Sequence, residues 1–280
     1  MNNRIKAYIL LLLSAAMWGS SFPVIKIGLN SGFSPIGFLG FRLFLATLLI
    51  IPFIYKDIIL KSFIDKKMIL LGFTNAGGFL FQYFGQKFTS SNTAAVVSNL
   101  LVIFVAILSF FILKEDMNLK KASGVVLSFV GLGILSELSF SSLSTSRGVL
   151  IMLISPVMWA FFVILSKDIS SGESFKKYLF PIYFYTFLFV LPFAIAEGFS
   201  LSIKSFSLSL YLAIFCTIVP YLFFLYGLKY IKATTASIIT SFQIFFSIII
   251  SFVFLGETLS MNFIIGLFLV FLSIYLVEST

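Results

Sequence analysis

Few side chains in this sequence can do chemistry, and those that can lie within apolar runs. There is no histidine and there is one cysteine, Cys216. That removes the usual metal-ligand clusters, Ser-His-Asp triads, Cys-His pairs and any intramolecular disulfide. All ten Asp and Glu fall between the apolar runs or near their ends, so the runs hold no acid–base pair. What remains is neutral, aromatic or cationic. Trp18 and Trp159 sit near the centres of two runs, with Ser14 and Ser155 one helical turn before them. Asn75, Gly78 and Gln82 share one face of the third run, and Thr217 and Tyr221 stand one turn apart in the eighth. Asn99 and Gln243 are the amides nearest the middle of the fourth and ninth, and Arg42 is the one charge well inside a run.

Such a set binds rather than reacts. Polar groups at bilayer depth are costly unless they face a cavity or a partner helix, and tryptophan ordinarily prefers the membrane interface. The reading is therefore a substrate-binding wall made of Ser14, Trp18, Arg42, Asn75, Gln82, Asn99, Ser155, Trp159, Thr217, Tyr221 and Gln243, with no catalytic residue, metal or cofactor. Packing is the competing explanation for the tryptophans and the serines. For Arg42 two readings stand: contact with a substrate carboxylate or phosphate, or snorkelling to the outer face within about two turns. Thr240, Ser247 and Ser251 form a small polar stripe beside Gln243 that reads as a packing face. Glu115 and Glu257 are read as helix caps or partners of basic loop residues. Without a titratable group on the path, a uniporter or exchanger fits better than a proton antiporter.

The elements that must position these residues follow from composition. The chain has 280 residues, 60% hydrophobic and only 10% charged, with mean hydropathy +1.13. A soluble domain is nearer a quarter charged, so lipid is the expected solvent. A membrane-crossing helix takes about 20 apolar residues, and apolar runs between charged breaks give ten spans. The net charge of +9 could suggest nucleic acid in a soluble chain. Here topology accounts for it: Lys and Arg in alternate loops divide 14 against 4, which places both termini in the cytoplasm. The first run, preceded by Arg4 and Lys6, also mimics a cleaved signal peptide, but it is kept as a span because it takes part in an internal repeat.

At an offset of 142 residues the third to fifth spans overlay the eighth to tenth without a gap. Gly85, Lys87, Thr93, Ala94, Ser109 and Glu115 meet Gly227, Lys229, Thr235, Ala236, Ser251 and Glu257. The first and sixth spans match at 141, with Ser14, Met17, Trp18 and Lys26 over Ser155, Met158, Trp159 and Lys167, and the second and seventh match at 140. The expected halves are residues 1–140 and 146–280. Five spans per half force the second half to enter the membrane from the opposite side, an arrangement transporters use for alternating access. Gly77-Gly78 and Pro220 are expected to interrupt the third and eighth helices at corresponding places, the pattern that marks a transporter site.

Met17-Trp18-Gly19-Ser20-Ser21-Phe22 with Lys26, Phe41-Arg42, and Leu255-Gly256-Glu257-Thr258-Leu259 resemble the EamA-like branch of the drug/metabolite transporter superfamily. The first copy departs from the pattern, reading Leu113-Lys114-Glu115-Asp116 where the second has Leu-Gly-Glu-Thr. The resemblance implies an all-α fold of ten transmembrane helices in a 5+5 inverted repeat around a central cavity. It also implies the movement of amino acids or other small metabolites, with export one possible direction. The partners expected are a small-molecule substrate and the lipid bilayer, not nucleic acid, in a multi-pass cell-membrane protein that is a monomer or homodimer. A lipid flippase, a polytopic membrane enzyme and a membrane scaffold are the competing functions.

Overall fold

The computed structural model describes residues 2–54, 65–135, 147–170, 175–256 and 261–278, and every described regular element is a helix. Lys56, Lys61, Glu257 and the expected boundary between the halves lie outside the described residues. The helices are α1 (Asn3–Asn30), α2 (Pro35–Ile54), α3 (Lys66–Gln86), α4 (Ser91–Asn99), α5 (Leu101–Leu108), α6 (Leu119–Leu135), α7 (Arg147–Met152), α8 (Ile154–Ser170), α9 (Leu179–Glu197), α10 (Ile203–Ala213), α11 (Val219–Tyr230), α12 (Ala233–Thr240), α13 (Gln243–Leu255) and α14 (Met261–Glu278). Several run on as one rod, such as α7 into α8 and α10 into α11. Seven of the resulting stretches are long and apolar enough to cross a membrane. Starts are set by side chains that accept orphan backbone N–H groups: Asp65 before α3, Ser90 before α4 and Ser202 before α10.

The polarity of the molecule is turned inside out. Phe111, Phe193, Phe254 and Phe268 are exposed on the outside, while Asn75, Gln86, Arg42 and a series of serines are buried. Lipid rewards the first group, and helix–helix contacts satisfy the second. Packing partners obey the repeat. α1 packs on α11 as its mate α8 packs on α3; α2 packs on α10 as α9 packs on α3; α1 packs on α13 as α8 packs on α5. The pairs α2–α9 and α6–α14 each join a helix to its own mate.

The same exchange holds atom by atom. Ser14 Oγ donates to Pro220 O at 2.9 Å, and Ser155 Oγ to Gly78 O at 2.8 Å. The Lys26 ammonium donates to Gln86 O and Thr89 O at the end of α3, and Lys167 to Leu228 O and Ile231 O at the end of α11. Each cation answers carbonyls that a helix end leaves without partners. Gly85 and Gly148 let α3 and α7 meet backbone to backbone: a Cβ on either would stand 2.6 Å from the other's carbonyl oxygen. These contacts set the α7–α8 rod antiparallel to α3, with Gly148 and Ser155 opposite Gly85 and Gly78.

One expectation needs correction. Gly77-Gly78 does not interrupt α3, which is continuous; the glycines instead admit the Met158 and Trp159 side chains. The paired interruptions fall elsewhere, at Leu100 between α4 and α5 and at Ser241 and Phe242 between α12 and α13, Phe242 being the repeat mate of Leu100. There the backbone tightens to three-residue bonds, Leu100 N to Val97 O and Phe242 N to Ile239 O. In the rod formed by α10 and α11, the eighth along the chain, the irregularity is a π turn, Ile214–Ile218, just before Pro220.

The departure at Lys114 also has a structural meaning. Lys114 ends its rod in the left-handed region at φ 56°, and its repeat mate Gly256 does the same at φ 68°. Glycine tolerates that conformation and a residue with a Cβ is strained by it. Lys114→Gly is expected to stabilise the protein by about 1 kcal/mol, seen as a raised melting temperature in detergent.

Candidate functional site

A cavity lies between the two halves, lined by Trp18, Ser21, Phe22, Arg42, Phe79, Gln82, Leu101, Trp159, Phe162, Val163, Tyr221, Phe224, Thr240 and Gln243. Twelve of these form six repeat pairs: Trp18 with Trp159, Ser21 with Phe162, Phe22 with Val163, Phe79 with Tyr221, Gln82 with Phe224, and Leu101 with Gln243. Only Arg42 and Thr240 line it without their mates, Ile182 and Ser98. The wall is therefore symmetric in position and asymmetric in chemistry.

The asymmetry has a direction. Ser21, Phe22 and Gln82 lie toward the Lys26 end of their helices, and Arg42 joins them through Tyr83. Their mates Phe162, Val163 and Phe224 lie toward the Lys167 end. The first end is mostly polar and cationic and the second mostly apolar, with Thr240 the polar exception there; its hydroxyl donates to Ser237 O at 3.0 Å. At the centre, Trp18 packs against Tyr221 and Phe224 with ring centroids 5.5 and 5.3 Å apart. Trp159 packs edge-on against Phe79 at 5.4 Å.

Arg42 does not snorkel. It is 1% exposed. Its guanidinium donates to Thr217 Oγ1 at 2.8 Å, Tyr83 Oη at 3.0 Å and Cys216 O at 2.8 Å, and lies 4.8 Å from the Phe79 ring centroid. The π turn of the eighth rod brings Thr217 and Cys216 O to it. These partners are neutral, and three of the five N–H donors of a guanidinium are engaged. The amides of Gln82 and Gln243 line the cavity with no hydrogen bond to any described residue.

The remaining sequence candidates stand behind the wall. Asn75 is fully buried; its Oδ1 accepts from Trp159 Nε1 at 3.3 Å and Tyr221 Oη at 2.7 Å, while its Nδ2 donates to Thr186 Oγ1 at 3.1 Å. It holds two wall aromatics in place. Thr217 holds Arg42, Ser14 and Ser155 occupy helix carbonyls, and Asn99 donates to Ala95 O at 2.7 Å in the turn before the α4–α5 break. In the small polar stripe, Thr240 faces the cavity, whereas Ser251 pairs with Ser91 at 2.9 Å as a packing contact. Glu115 caps the start of α12, accepting from Ala233 N and Thr234 Oγ1, both at 2.8 Å. The reading of polar residues missed Ser21, Phe22, Phe79, Leu101, Phe162, Val163 and Phe224. The signal that could have found most of them is the repeat itself, combined with one helical turn from Trp18 or Gln82. Among the described residues no group of His, Cys, Asp or Glu could hold a metal ion.

A polytopic helical protein with exposed apolar flanks, buried polar contacts and a central cavity between related halves is a membrane transporter in form. The chain belongs to the EamA-like transporter family, whose model matches residues 5–137 and 146–279. It is similar to an uncharacterized transporter of Archaeoglobus fulgidus, 26% identical over 90% of each chain. A second from that organism is 29% identical over 98% of this chain and 86% of its own. The uncharacterized transporter YyaM of Bacillus subtilis is 29% identical over 95% and 92%. A solved crystal structure shares the fold with TM-score 0.78 and 12% identity, covering 98% of this chain and 97% of that one. The protein is a multi-pass membrane transporter.

Proposed function

We propose that this transporter moves a small organic metabolite through the central cavity by alternating access. The observation that carries this is the wall of repeat pairs: one cavity shared by two halves that make the same contacts with roles exchanged. If the halves exchange conformations, access passes from one end of the cavity to the other. In this reading all ten helical rods cross the cell membrane, residues 1–140 and 146–280 form an inverted pair, and the excess of Lys and Arg in alternate loops keeps both termini in the cytoplasm. The wall contributes no carboxylate from the described residues, which favours a uniporter or exchanger over a proton-coupled carrier.

Repeat mates test the mechanism directly. In a Cys216→Ala background, which has no other thiol, Ser21→Cys and Phe162→Cys report the two ends of the cavity. Membrane-impermeant thiol reagents are expected to reach one cysteine from one side and the other from the opposite side, with reactivities that change in opposite directions when substrate is added to proteoliposomes. Reactivity that rises at both ends together would identify a channel instead.

A further inference from the structure

We propose that the cavity selects amphiphilic organic monoanions, carboxylates with an aromatic or aliphatic body, and binds the carboxylate at Arg42 and Gln82 with the body against Phe162 and Phe224. The inference rests on the reading of the cavity as the substrate site and adds to it a substrate class and an orientation.

Arg42 is buried beside the cavity with only neutral partners, and two of its N–H donors remain. A charge taken out of water is stabilised most by an opposite charge that also accepts hydrogen bonds. No carboxylate lies on the described wall, so that anion has to arrive with the ligand. The wall supplies one cation, which matches one negative charge; a dianion would bring a second charge into an apolar space. The Gln82 amide, 2% exposed and without a partner among the described residues, offers a further donor on the same side. An ammonium ligand finds the reverse of what it needs: no carboxylate, and a fixed like charge. The aromatic members of the same repeat pairs make the other end a receptacle for an apolar body. Arg42 has Ile182 as its mate, so the preference for a charged head at one end is built into the difference between the halves.

The protein carries its own reporter, because its two tryptophans, Trp18 and Trp159, both line the cavity. Purified protein in nanodiscs is titrated with 3-phenylpropionate, 3-phenylpropanamide, 3-phenylpropylamine and propionate, reading tryptophan emission where the phenyl probes do not absorb. The expected result is saturable change with 3-phenylpropionate, at affinity about tenfold or more above the amide and the amine, and much weaker binding of propionate. Arg42→Gln should erase the preference for the acid over the amide. Because Arg42 also bridges helices, Gln82→Leu serves as the second variant: it should weaken the acid severalfold and leave the melting temperature near that of the parent. An amide or amine that binds as tightly as the acid, or no emission change with any probe, overturns the proposal. Either failure leaves the transport reading to the two-cysteine experiment. Conversely, acid-selective binding with thiols that open at both ends together would overturn alternating access and keep the substrate class.

Discussion

Arg42→Met is expected to destabilise the protein by about 2–4 kcal/mol, read as a fall in melting temperature in detergent. The methionine keeps most of the length, so the loss comes from hydrogen bonds rather than from a void. Cys216 O loses the donor that reaches it inside the π turn, Thr217 Oγ1 loses its acceptor role, and Tyr83 is left buried beside them. An unsatisfied buried polar group costs about 1–3 kcal/mol. Against this stands the relief from burying a charge, which often makes buried ions replaceable. The first effect wins here because all three partners are polar and buried and stay behind when the guanidinium goes. Arg42→Lys should lose less stability, since an ammonium can still serve one or two of the three groups. If Arg42→Met melts with the parent, the bridge between α2 and the eighth rod is not structural, and the guanidinium is held for a ligand alone.

The same residue shows what the sequence can and cannot disclose. That Arg42 was the one charge inside a span was plain from the order of residues; which way it pointed was not. In lipid a polar side chain turns inward, but inward means either a cavity or a neighbouring helix. Arg42, Gln82 and Gln243 reach the cavity, whereas Asn75, Thr217 and Ser14 look equally polar in the sequence and point at other helices. Only the partner across the interface separates them: Thr186 for Asn75, Pro220 O for Ser14. The aromatic half of the wall was hidden by abundance. Among 38 phenylalanines, composition cannot single out Phe79 or Phe162, although the repeat ties each to a residue of another type, Tyr221 and Ser21. Gly77-Gly78 misled for a related reason. Glycine marks a close approach as readily as a weak helix, and here the Met158 and Trp159 side chains fill the space. The repeat was fully legible because Lys26 and Lys167, or Ser14 and Ser155, are polar residues that lipid does not place by chance.

Asn75→Leu is expected to reduce transport about tenfold or more while the protein still inserts and purifies as a monodisperse species. Asn75 need not touch substrate for this. Its Oδ1 holds the Trp159 indole and the Tyr221 hydroxyl, which come from α8 and α11, two helices of the second half, while Asn75 itself belongs to the first. Leucine has a similar volume and no acceptor, so the Trp159 N–H is left without a partner unless the ring turns toward the cavity. Turning relieves the buried donor and displaces one of the two tryptophans that form the centre of the wall. The stability loss should be about 1–3 kcal/mol, smaller than for Arg42→Met, because an indole beside a cavity has somewhere to go. Two readouts separate positioning from simple destabilisation. Tryptophan emission should shift in the unliganded variant, and Asn75→Asp, which keeps the shared acceptor, should restore that emission toward the parent even though it loses the donor to Thr186. If Asn75→Leu transports normally, the aromatic centre tolerates a loose indole, and the geometry of Trp159 is not what limits passage through the cavity.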